Sequence, residues 1–156
     1  MREILFRGKR IDNGEWVEGA FLNDRDGAFY ICPVVSDITY GDNGNRRRIG
    51  CWYKVDPATV GQYTGLADKN GRRIFEGDKL LPFDGDIDKM VVEFNLGQFL
   101  LCIYGDRGYR SESGDWEYDG SNYGVIECEP LSSYGEDIMV IGNIHDNPEL
   151  LKEEPT

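Results

Sequence analysis

The chain has 156 residues, a formal net charge of −12, 40% hydrophobic side chains and 29% charged ones. That length suits one domain or two small ones, and the apolar content is too high for a wholly disordered chain. No stretch approaches the ~20 apolar residues that cross a bilayer. Met1 to Arg7 lacks the apolar core and small-residue cleavage site of a signal peptide, so the expectation is a cytoplasmic protein with no membrane partner.

Twenty glycines and 12% aromatic residues disfavour helix and suit short pleated strands joined by tight turns, so the expected class is all-β. Glu3 to Arg7 reads as the first strand. Asp12-Asn13-Gly14 is a hairpin signal, because Asn-Gly accepts the positive φ angles of a tight turn. Glu15 to Leu22 is the returning strand, Asn23 to Gly27 a second polar turn, and Ala28 to Val35 a third strand broken by Pro33. Tyr40 to Asn45 is loop by composition, and Arg46 to Val55 resumes strand character. Residues 1–60 therefore form a β-rich part built as a meander.

Asp56-Pro57 punctuates the chain, since the residue before Pro is pushed out of the helical region. Thr59 to Tyr63 suits a short strand, Asp68-Lys69-Asn70-Gly71 a turn, and Lys79 to Phe83 the strand after Glu76-Gly77-Asp78. Met90 to Phe94 and Gln98 to Tyr104 are the strongest strand pair. Gly105 to Gly124 has no periodic apolar face and reads as a long loop or an irregular extension. Val125 to Cys128 and Ile138 to Ile144 close the series. Helix is expected only in the tail, residues 148–156, where Asn147 can cap a turn that begins at Pro148.

Charge is segregated. Residues 1–60 hold nine Lys/Arg and nine Asp/Glu, whereas residues 61–156 hold eight against twenty, and from Asp106 onward the ratio is three to thirteen. Direct nucleic-acid binding through this acidic half is disfavoured, because it repels phosphate backbones. It reads as a solubilising face, or as a surface that meets a basic partner or mimics nucleic acid. Cys32, Cys51, Cys102 and Cys128 show no paired zinc-ligand spacing and sit in apolar contexts, so they are expected as reduced core or sheet residues.

The run Gln62-Tyr63-Thr64-Gly65-Leu66-Ala67-Asp68-Lys69-Asn70-Gly71-Arg72-Arg73-Ile74-Phe75-Glu76-Gly77-Asp78 resembles the hallmark block of the YopX family of phage and prophage proteins. The opening, Glu3 to Arg10 with Asn13 to Val17, and the ending, Val140 to Leu151, are similar to the family's termini. The resemblance implies a bacterial host and a small SH3-like β-barrel over residues 61–147, after the β-rich N-terminal part. It implies no catalytic residue, cofactor or metal. The residues singled out, Gly65, Asp68, Gly71, Glu76, Gly77 and Asp78, are expected to be structural. The glycines serve turns, at least one of them at positive φ, and a buried carboxylate caps backbone amides.

Other constellations carry less. Asp84-Gly85-Asp86-Ile87-Asp88 has the spacing that opens a calcium loop but lacks the glycine, the bidentate Glu and the helices of an EF-hand. His145, the single histidine, has no nucleophile motif beside it. Arg46-Arg47-Arg48 suits an exposed strand edge, where charge deters unwanted pairing. The expectation is a non-enzymatic accessory protein that binds macromolecules, as a homo-oligomer and with a host or phage protein as possible partner. The alternatives are an acidic nucleic-acid mimic that inhibits a host protein, and an enzyme whose carboxylates or His145 converge only in three dimensions.

Overall fold

The fold is that of a computed structural model, which describes residues 2–33, 39–40, 47–48, 52–82, 89–119, 123–134 and 137–148. It is all-β, with well over a third of the chain in strands; among the described residues helical geometry is confined to two three-residue 3-10 turns, Pro57–Thr59 and Leu131–Ser133. The chain divides into two compact units, Met1–Gly65 and Leu66–Thr156. The division falls inside a strand rather than at a linker.

The first unit contains β1 (Phe6–Lys9), β2 (Trp16–Asn23), β3 (Phe29–Cys32), β4 (Thr39–Tyr40), β5 (Arg47–Arg48), β6 (Tyr53–Val55) and most of β7 (Gly61–Ala67). The Asn13-Gly14 hairpin forms as its sequence requires, with Gly14 at φ 72° and the Arg10 amide donating to the Glu15 carbonyl. β2 serves two neighbours. Its first half pairs with β1, Phe6 opposite Gly19, and its second half with β3, Ala20 opposite Cys32. The corner is Gly19, where a Cβ would stand 1.8 Å from the Cys32 carbonyl oxygen. A glycine inside a strand marks such bends because any side chain would collide there.

β3 then pairs with β6, and the curl continues until β6 meets the end of β1. The Ile11 amide donates to the Lys54 carbonyl and the Asp56 amide to the Lys9 carbonyl. Inside this ring Val17, Ile31 and Val55 are buried beneath Phe6, Phe29, Tyr53 and Val60. Gly8 is needed for the ring's small radius, since a Cβ there would press on Val55 and Ile31 at 3.1–3.2 Å. The 3-10 turn is capped by Asp56, whose Oδ1 accepts from the Ala58 amide.

The second unit contains β8 (Arg73–Phe75), β9 (Asp78–Pro82), β10 (Lys89–Asn95), β11 (Gln98–Asp106), β12 (Tyr109–Arg110), β13 (Trp116–Glu117), β14 (Tyr123–Pro130) and β15 (Ile138–Asn143). Its main sheet is antiparallel, in the order β14-β11-β10-β9-β15. One face carries the core of Ile74, Leu80, Met90, Val92, Leu101, Leu131, Ile138 and Val140. Each such side chain contributes roughly 1.5–3 kcal/mol on burial.

Three expectations are corrected here. The SH3-like barrel does not close: among the described residues β14 and β15 end the sheet on opposite edges and pair only inward. The segment from Gly105 to Gly124 is not one loop. β11 runs on to Asp106, β12 and β13 form a small hairpin, and β14 begins at Tyr123. Two of the cysteines are not reduced. Register places Cys102 directly opposite Cys128 across β11 and β14, with Cα atoms 4.1 Å apart, and the two form a disulfide. Their 26-residue separation gives no spacing motif, so only strand pairing reveals them. Cys32 is a buried free thiol, as expected.

The Asp84–Asp88 run, Arg46 and the tail from Glu149 lie outside the described residues, as do the side chains of Arg47 and Arg48. No helix among the described residues is long and apolar enough to cross a membrane.

Candidate functional site

In the second unit the part of the central block from Leu66 to Asp78 and the C-terminal ending, some seventy residues apart in sequence, fold onto one another. The contact begins at Asp68, which is 6% exposed. Its Oδ1 accepts from the amides of Asn70 (2.8 Å) and Arg72 (2.9 Å), closing the turn in which Gly71 sits at φ 78°. Its Oδ2 accepts from the Val140 amide on β15 at 3.1 Å, and the Lys69 amide donates to the Ile138 carbonyl beside it. One carboxylate thereby ties a local turn to a distant strand. Burial pushes its pKa up, but the three amide donors outweigh burial and hold it below the ordinary aspartate value.

A second junction lies one turn further on. Asp78 is fully buried, and its Oδ2 accepts from the Phe75 amide at 2.8 Å across Glu76-Gly77. Gly77, at φ 83°, donates its amide to the Val92 carbonyl and accepts from the Ile144 amide. A Cβ there would stand 3.5 Å from Ile144 and 3.7 Å from His145 Nε2. A tight turn with positive φ in close quarters is a place for glycine. Glu76 is half-buried beside it. Gly65 also has positive φ, 89°, but belongs to the first unit, where it lies against Arg2.

The ending is organised by Asn143, which pairs with Asp78 across β15 and β9 and is 5% exposed. Its Oδ1 accepts from the amides of His145 and Asp146, both at 2.9 Å, and its Nδ2 donates to Asp146 Oδ2. Its carbonyl accepts from the Asn147 amide. Lys79, buried next to Asp78, donates its Nζ to the Asn147 carbonyl. Alternation along β9 would place Lys79 on an open face, so its burial was not legible in the sequence. Asn143 carried a signal, since an Asn whose side chain can accept from the amide two residues on, here His145, suits an Asx turn.

Asp68 is thus brought to Val140, and Gly77 and Asp78 to Asn143, Ile144 and His145; Gly71 shapes the Asp68 turn, Glu76 lies in the turn closed by Asp78, and Gly65 is not drawn into either contact. The Asp68 and Asp78 carboxylates accept from backbone amides, as turn-building side chains do. Among the described residues no group of three or more His, Cys, Asp or Glu is placed to hold a metal.

No curated protein matches the chain. Among solved structures it is similar to protein EF1440 from Enterococcus faecalis, at 26% identity over 97% of this chain and 100% of that one, with a TM-score of 0.49. The model of the YopX protein family matches residues 5–152, which include both segments of the junction. On that match over nearly its whole length, the chain belongs to the YopX family.

Proposed function

We propose that this is a phage- or prophage-derived accessory protein that acts by binding another macromolecule and not by catalysis. The observation that carries this reading is the use made of the polar groups in its motif segments. Asp68, Asp78 and Asn143 are buried and turned onto backbone amides, as in a scaffold that presents surfaces. Large apolar and aromatic side chains stand outside that scaffold, among them Leu96, Trp116 and Tyr118. Binding energy at protein interfaces concentrates in a few side chains, with Trp and Tyr enriched among them.

The test is affinity capture from a lysate of the bacterial host with the tagged full chain, followed by reconstitution from purified components. The expected result is a defined complex of fixed stoichiometry that survives 150 mM salt. Turnover of a small-molecule substrate that is lost on His145→Ala, in a variant that still folds, would overturn the reading in favour of an enzyme.

A further inference from the structure

The hairpin of β12 and β13 separates its side chains cleanly. The run Asp115-Trp116-Glu117-Tyr118-Asp119 alternates acid and aromatic residues, and within the paired strands Trp116 shares one face with Arg110 while Glu117 shares the other with Tyr109. Trp116 is 58% exposed and Tyr118 66% exposed. Register places Arg110 opposite Trp116, and the Arg110 guanidinium lies 5.8 Å from the centre of the indole ring. The Tyr118 ring lies against Gly108, where a Cβ would stand 2.7 Å from its edge. Both rings therefore have a defined seat and still face solvent. On the other side Tyr109 donates its hydroxyl to Glu117 Oε2.

We infer that this hairpin is the docking surface for a basic segment of a different protein, one that lays Arg or Lys side chains over Trp116 and Tyr118. The inference rests on the macromolecule-binding reading above and supplies the surface and the chemistry of its partner. Two observations select a basic occupant. The hairpin segment 107–119 carries Glu112, Asp115, Glu117 and Asp119 against Arg107 and Arg110, so a cationic segment is drawn to it and a nucleic acid is repelled. Arg110 over Trp116 is an intramolecular instance of the same contact, a cation on the ring face. A second copy that docked through its acidic half would set like charges against this hairpin, which disfavours it as occupant.

The probe is a fluorescein-labelled peptide of alternating Arg and Gly, with an alternating Glu and Gly peptide as control. It is titrated with the full chain at 50 and 300 mM salt. We expect the cationic peptide to bind and the anionic one not to. The double variant Trp116→Ala/Tyr118→Ala should weaken binding about tenfold with net charge unchanged. Arg110→Ala removes the internal competitor and a like charge, so affinity should rise about two- to fivefold. A merely structural role for the hairpin predicts no such rise. Thermal melts of each variant confirm that folding is retained.

The inference is overturned if the double variant binds like the parent, if the peptide fails to bind, or if Arg110→Ala weakens binding. Self-association abolished by the double variant would assign the face to a second copy and overturn it too. A host complex that forms equally well with the double variant would leave the macromolecule-binding reading standing and remove this surface from it.

Discussion

Asp68 is the residue whose removal should be felt furthest from its own position. In Asp68→Asn one oxygen becomes an amide nitrogen that cannot accept, so either the Asn70–Arg72 turn or the Val140 amide loses its partner. A buried donor left unsatisfied costs about 1–3 kcal/mol, which urea denaturation followed by tryptophan fluorescence will measure. The sign of the pH effect follows from the lowered folded-state pKa. The stabilisation is complete above the unfolded value near 3.9 and is lost as pH falls through the lower folded value. The stability gap between parent and Asp68→Asn should therefore be constant from about pH 5 upward and narrow below about pH 4. Gly77→Val combines positive φ with Ile144 at 3.5 Å and should cost more than about 2 kcal/mol. Gly71→Ala has open space around it and should cost only about 1–2 kcal/mol, from the backbone alone.

At the scale of elements, β2 depends on a residue that its sequence disguises. Gly19 sits in a run that reads as ordinary strand, yet its missing side chain lets β2 leave β1 and take up β3. Gly19→Ala puts a methyl group into the Cys32 carbonyl, which only backbone movement can relieve, so a loss of about 2 kcal/mol or more is expected in thermal melts. The cross-strand disulfide makes the other element-level prediction. Linking Cys102 to Cys128 closes a loop of moderate length, so its reduction should lower stability by about 2–4 kcal/mol. Urea midpoints with and without a phosphine reductant should differ in the parent and coincide in Cys128→Ser. Non-reducing peptide mapping should recover the Cys102 and Cys128 fragments joined. Strands β10 and β11 were legible because their apolar runs are long. β8, three residues between two turns, and the short β12–β13 hairpin were not, because so few residues carry no period.

For the whole molecule the charge split is the dominant feature, since all the excess acid lies beyond residue 60. We propose that the nearly neutral N-terminal half, with its Arg46-Arg47-Arg48 run, supports self-association, because that half carries least like-charge repulsion between copies. Light scattering at low micromolar protein in 150 mM salt should then give a mass above the 17.7 kDa of one chain. A monomer would remove the oligomer and leave the basic-partner surface unaffected. An interface in the N-terminal half should bury on the order of 1,000 Å² or more.

Composition and turn chemistry were enough to determine the all-β class and the Asn13-Gly14 hairpin. These depend on neighbours in sequence: positive φ needs glycine. The block's length and specificity likewise sufficed to place the chain in its family. Tertiary structure alone decided which sheet curls. The ring forms in the first unit, where Gly8 and Gly19 permit close approach, and the second unit's sheet stays open between β14 and β15. It also decided that Cys102 meets Cys128, that Asp68 reaches Val140, and that Trp116 and Tyr118 stand in solvent. Each of these is set by strand register, which a shift of one residue would reverse, and register is fixed by packing between segments far apart in the chain.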